Sequence, residues 1–175
     1  MAVAGGVRHS PTRYTSKVSD LNLSRLQRCE TQLRDFLGEA LAGIPVEKIL
    51  ERVIPGKWSA HENLAHLGRY HEIFQERIER ILTEPNPVFT RYRAEDDPRW
   101  EAWRTLAHKE VAEKLASLRE QLVTKLKSLT AEDYARTGIH SKFGKMTLAL
   151  WLEFFLVHEA HHLYAVLEQV RRDHR

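Results

Sequence analysis

A chain of 175 residues, 42% hydrophobic and 29% charged, is long and apolar enough for one domain with a sizeable core, and no second domain is required. Its formal charge of +3 and pI near 9.1 are mild, and the basic residues are scattered among acidic ones rather than gathered into a stripe with aromatics, which excludes a nucleic-acid-binding pattern. The longest nearly apolar run, residues 146–157, is too short for a bilayer and contains Glu153, and the N-terminal region lacks a signal-peptide-like apolar segment, so neither membrane insertion nor export is expected.

Residues 1–17, with Gly5-Gly6, Pro11 and no helical period, read as a disordered tail, and residues 18–175 as a single domain. After a polar start at Ser19-Asp20, Leu23, Leu26, Leu33, Phe36, Leu37, Ala40, Leu41 and Ile44 recur at helical spacing until Gly43 and Pro45 stop them. Within this first helix lies Cys29, the sole cysteine, which permits no intramolecular disulfide and suits core packing in a reducing, cytoplasmic compartment. Pro55-Gly56 breaks the chain again, and Ser59-Ala60-His61-Glu62 has the form of a capping box opening a second helix to about Leu82. A long connection rich in Pro, Asp and Glu follows, from residue 83 to about 98. Leu106, Val111, Leu115, Leu118, Leu122 and Leu126 then mark a long third helix. A fourth helix, about residues 147–172, is preceded by Lys142-Phe143-Gly144-Lys145, and its nearly all-round apolar first half predicts that it is the most buried. With no strand pattern or repeat, the expectation is an all-α four-helix bundle, a fold that builds metal sites between facing helices.

The chemistry concentrates in the fourth helix, where His158-Glu159-Ala160-His161-His162 places three histidines and a glutamate in five residues. At about 100° per residue, Trp151, Phe155, His158, His162, Ala165, Val166 and Gln169 share one sector, so the two histidines four apart sit in the apolar stripe with roots roughly 5–6 Å apart. Burying two imidazoles side by side costs free energy unless each finds a partner, and one cation serves both. His161 lies to one side, as a surface or boundary residue. Glu159 is a candidate acid/base or supporting group, although its direction, roughly 100° from that of His158, favours a partly exposed helical glutamate. On the second helix Arg69, Glu72, Gln75, Glu76 and Glu79 form a polar arc. His66 and His71 both fall in or beside the apolar arc, and periodicity does not choose between them as a third ligand. Asn63, one turn before His66, is placed to fix an imidazole tautomer, and Tyr70, Arg77 and Gln169 face the same interior.

Read literally, the cluster matches His-Glu-x-x-His of zinc metalloproteases. Beyond the second histidine, however, Ala165 and Glu168 replace the glycine and histidine of a metzincin, and substrate-binding strands have no counterpart. The ordered set Gly56-Lys57-Trp58-Ser59, His66, Gly144, Thr147-Leu148 and His158/His162 instead resembles the DinB/YfiT-like family of four-helix metalloproteins, over about residues 23–170. The resemblance implies that His66, rather than His71, joins His158 and His162 around one divalent ion, commonly zinc or nickel. It further implies either a thiol transferase acting with a low-molecular-weight thiol or a hydrolase, working on a small-molecule substrate, and a homodimer. Three neutral imidazoles leave a coordination position open, as catalytic zinc sites do. The competing class is a non-catalytic module in which the metal is a staple within a dimerisation or small-ligand-binding bundle.

Overall fold

The computed structural model describes residues 20–172, so the expected tail at 1–17 lies outside the described residues. Four long helices form the bundle: α1 (Asp20–Ala40), α3 (Ala60–Thr83), α5 (His108–Lys127) and α7 (Leu148–Arg171). Both α1 and α3 pack on α5 and α7, which puts α1 and α3 at opposite corners. None of the helices among the described residues is long and apolar enough to cross a membrane. Between the bundle helices lie three short ones, α2 (Val46–Leu50), α4 (Pro98–Arg104) and α6 (Ala131–Ala135), and a single 3-10 turn at Ala94–Asp96.

The caps match the sequence. Ser59 Oγ accepts from Glu62 N at 3.1 Å, and Glu62 Oε2 accepts from Ser59 N at 2.9 Å, closing the capping box that starts α3. Upstream, Gly56 takes a φ of +72°, a left-handed conformation that glycine enters without penalty, and the tight turn delivers Trp58 to the head of α3. Thr147 caps α7 through Leu150 N at 3.2 Å.

Four expectations require correction. Strands are present: β1 (Val88–Phe89), β2 (Thr137–His140) and β3 (Gly144–Thr147) form a three-stranded sheet in the order β1-β2-β3, parallel then antiparallel. Strands of two to four residues are too short to show an alternating period in sequence; β2 and β3 pair as a local hairpin, whereas β1 joins β2 across some fifty residues. The long third helix is divided, because Asp97 and Pro98 start α4 on their own account and the chain leaves helical geometry after Thr105, so Leu106 lies in the break. Leu23 shares the apolar spacing of α1 but is 52% exposed, and Arg69, assigned to a polar arc, is buried against Asp97 at 2.6 Å.

Two apolar clusters fill the bundle. One, near the sheet, centres on Phe74, Trp151 and Phe155, with Phe74 and Phe155 stacked at 4.5 Å. The other, at the opposite end, contains Leu64, Leu67, Trp103, Leu115 and Val166. Between them α3 and α7 carry His66, His158 and His162. The second cluster depends on Gly68, where a Cβ would stand 2.2 Å from the Trp103 ring, so α4 lies flush against α3 only because no side chain intervenes. Gly68→Ala is expected to lower stability by roughly 1–3 kcal/mol. In thermal denaturation followed by circular dichroism this is a midpoint lower by at least ~2 °C, and an unchanged midpoint would refute the close approach.

Candidate metal centre

His66 comes from the second turn of α3, and His158 and His162 come from successive turns of α7. One ring nitrogen from each lies within 4.8 Å of the other two, and His66 Nε2 is 3.2 Å from His158 Nε2. A tetrahedral ion with bonds of 2.0–2.1 Å separates its ligand nitrogens by about 3.3 Å, so the spacing suits a shared cation. The His66 and His162 rings are buried, and that of His158 is partly so.

Asn63 determines which nitrogen of His162 is available. Its Nδ2 donates to the carbonyls of Ser59 at 2.9 Å and Trp58 at 3.3 Å, which can only accept, and this turns Oδ1 towards His162 Nδ1 at 2.8 Å. Nδ1 must therefore carry the proton, and Nε2 presents a lone pair. The hydrogen bond expected of Asn63 is thus made to His162. Aromatic rings wall the histidines: Trp58 lies over His66 at 5.0 Å and His162 at 6.0 Å, Tyr70 lies against His158 at 3.9 Å, and Tyr92 stacks on His66 at 5.5 Å.

Burial in this apolar layer lowers all three imidazole pKa values. Desolvation, with a smaller contribution from His161, brings His66 to about 4; desolvation together with His66 and His161 brings His162 to about 3. His158 is held well below its ordinary value by burial and then by its histidine neighbours. At neutral pH the cluster thus offers three uncharged nitrogen donors, the protonation state a cation requires. The donor chemistry, the spacing and the fixed tautomer all fit a divalent ion.

Beside the histidines lies a cavity of about 420 Å³, walled by Trp58, Tyr70, Tyr92, Arg77 and His140 as well as the three ligand candidates. His161 is exposed at its rim. A larger groove of about 590 Å³ between α1 and α5 contains none of these histidines.

The remaining candidates lie elsewhere. His71 is fully buried, with Nδ1 donating to Leu67 O at 2.6 Å and Nε2 accepting from Arg119 Nε at 3.1 Å. Glu159, expected to be partly exposed, has no exposed surface: its carboxylate forms an ion pair with buried Arg119 and accepts from Gln32 Nε2 at 3.0 Å. Glu159 is absent from the cavity wall, so the literal His-Glu-x-x-His reading loses its water-activating glutamate. Gln169 Oε1 accepts from Val53 N at 2.9 Å, tethering the approach to α3. Missing from the sequence reading were His140, Tyr92 and Trp100, which arrive from the sheet, the long connection and α4; Trp100 lies 5.0 Å from Trp58 and 6.0 Å from His66. No local signal indicated His140, because the buried positions of β2 are Gly138 and His140 and the sequence there shows no apolar alternation.

A sequence profile of the DinB superfamily matches residues 30–166. The chain belongs to the DinB superfamily. This DinB superfamily member is 26% identical over 140 residues to the uncharacterized protein YuaE of Bacillus subtilis, a match spanning 73% of this chain and 86% of YuaE. Its fold is also that of YfiT from Bacillus subtilis, described as a probable metal-dependent hydrolase with an unusual four-helix bundle topology. The two superpose with a TM-score of 0.73 at 21% identity, over 94% of this chain and 93% of YfiT.

The depressed imidazole pKa values set a pH dependence for the metal-free DinB fold. The unfolded chain titrates these groups near 6.5 and the folded one near 3 to 4, so between those values the unfolded chain binds more protons. The stability from neutral, buried imidazoles is therefore complete above about pH 6.5 and is lost as the pH falls through that window. Chelator-treated protein should show a melting midpoint that drops between about pH 7 and about pH 5, and less steeply in His66→Gln. Equal slopes would remove the histidine layer as the source.

Proposed function

We propose that this protein is a metal-dependent enzyme in which His66, His158 and His162 hold one divalent ion, zinc or nickel, and that its substrate is a small molecule attacked by a thiol or by water. The observation that carries the reading is the convergence of three neutral imidazoles from two helices beside an aromatic-walled cavity of about 420 Å³. A structural ion closed off by four protein ligands needs no such space, whereas an open position beside three histidines is the arrangement of catalytic sites. The description of YfiT as a probable metal-dependent hydrolase supports the same direction. Bound there, the ion would supply Lewis acidity that brings the pKa of a thiol or water towards neutrality.

The chain's own contribution is orientation and exclusion of water. Asn63 keeps the proton of His162 on Nδ1, and Trp58, Tyr70 and Tyr92 keep the imidazoles in their apolar layer. Glu159 enters this reading as a positioning residue rather than a proton carrier. Its carboxylate holds Arg119, which also donates to His71 and to Cys29 O at 2.7 Å, and so ties α1, α3, α5 and α7 together behind the ligands.

Protein purified without added metal should carry about one equivalent of a divalent ion, with less than about a tenth of an equivalent in His66→Ala, His158→Ala or His162→Ala. Full occupancy in those variants would end the proposal. Asn63→Ala is expected to weaken metal affinity by about 10–100-fold without removing a ligand. Turnover of electrophiles with a panel of cellular thiols, or of ester and amide substrates with water, should disappear on chelation and return with metal. Equal rates in loaded and stripped protein would favour the metal-staple alternative. Glu159→Gln leaves Arg119 buried without its counter-charge and should destabilise by roughly 3–5 kcal/mol while metal stoichiometry is kept; loss of turnover without loss of stability would instead restore Glu159 as an acid/base group.

A further inference from the structure

The cavity next to the histidines is lopsided in charge. One wall is the apolar and aromatic layer around the ligand candidates, and the other is lined by Arg77, Arg91, Arg93 and Lys142, with Glu95 as the sole carboxylate among its described lining residues. Three of these cations are exposed at the rim, but Arg77 is only 7% exposed. Among the described residues no carboxylate pairs with it: its polar contacts are Nη1 to Tyr70 Oη at 3.3 Å and Nη2 to Thr90 O at 3.1 Å. The rings of Tyr70, Phe89 and Trp151 lie 5.4–5.8 Å from its guanidinium carbon, which offsets part of the desolvation but leaves the charge uncompensated. A buried guanidinium without a counter-ion is costly, and a bound anion would relieve that cost.

The neighbours of Arg77 are donors as well. A guanidinium has five N–H donors, and the two bonds above leave three free. Since Tyr70 Oη accepts from Arg77 Nη1, the hydroxyl proton of Tyr70 is left to donate elsewhere. His140 is buried and accepts at Nδ1 from Lys142 N at 3.0 Å and Phe143 N at 3.2 Å, which places its own proton on Nε2. Tyr70 belongs to both walls, since its ring lies against His158.

We infer that Arg77, Tyr70 and His140 form an oxyanion-binding subsite for the substrate, which therefore bears a carboxylate or phosphate in addition to the group that reaches the histidines. Arg91, Arg93 and Lys142 at the rim attract such a molecule, and the buried Arg77 fixes its orientation through charge-assisted hydrogen bonds. What happens to the molecule at the histidines rests on the metal-dependent reading above, whereas the anion contact does not require the metal.

Succinate, its neutral diamide succinamide and inorganic phosphate can be titrated by calorimetry into protein as purified, chelator-treated protein, Arg77→Met and Arg77→Lys, with metal content measured on each sample. Succinate, phosphate or both should bind protein as purified, succinamide at least about tenfold more weakly, and Arg77→Met should lose at least about tenfold in affinity. Which of the two anions binds distinguishes a carboxylate from a phosphate ligand. Chelator-treated protein should keep its anion affinity to within about threefold, and Arg77→Lys should fall between wild type and Arg77→Met. The inference is overturned if neither anion binds, if succinamide binds as well as succinate, or if affinity vanishes with the metal and is untouched in Arg77→Met, since the anion is then only a metal ligand. Should Arg77→Met fail to fold, the succinate-succinamide comparison and the chelator arm still decide. Anion binding that survives in protein that never takes up metal would sink the metal reading and leave the subsite standing.

Discussion

Desolvation of three imidazoles in one layer of the bundle is the constraint around which this molecule is arranged. His66, His158 and His162 lie out of bulk water between two apolar clusters, where protonation is disfavoured and hydrogen-bond partners are few. The surroundings accommodate this with aromatic rings on several sides and with one directed hydrogen bond from His162 to Asn63. The same desolvation that makes the layer costly keeps the ring nitrogens available as neutral donors. Stability and readiness to take a cation thus have one physical origin.

Helix α7 faces two different polar environments. Towards the cavity it presents His158 and His162; on another face it presents Glu159 to Arg119, Gln32 and, at 4.0 Å, His71. Burial and the Arg119 charge hold His71 neutral, so that last approach is a packing contact and not an ion pair. A buried carboxylate and guanidinium are tolerated together because each cancels the field of the other, and breaking the pair is expensive in either direction. The arrangement fixes the rotation of α7 about its axis, and that rotation aims the two histidines at His66.

The segments outside the four long helices furnish the cavity. The parallel pairing of β1 with β2 brings Phe89 opposite His140, drawing the connection at residues 90–95 and the turn at residues 141–143 to the same opening. Helix α4 adds Trp100 because Gly68 lets it lie against α3. The helices therefore position the nitrogen donors, and the loops and strands set the size, aromatic character and positive charge of the space beside them. On the metal-dependent reading proposed above, substrate selection would belong to these elements, as is common where a rigid scaffold carries variable connections.

The number of bundle helices, most of their boundaries, the Ser59-Glu62 cap and the inward direction of His158 and His162 were legible in the sequence, because a 3.6-residue period sustained over five or more turns and local capping chemistry are written in neighbouring residues. The resemblance to DinB/YfiT-like proteins selected His66, and the bundle brings His66 to the pair while assigning His71 to Arg119. Glu159 is the instructive contrast. Its angle on the helix was correct, but whether that direction meets solvent or a buried guanidinium depends on α5, and no local pattern states where α5 will lie. The pairing of β1 with β2 and the lack of a carboxylate partner for the inward-facing Arg77 among the described residues likewise depend on segments distant in sequence, so only the tertiary structure decided them.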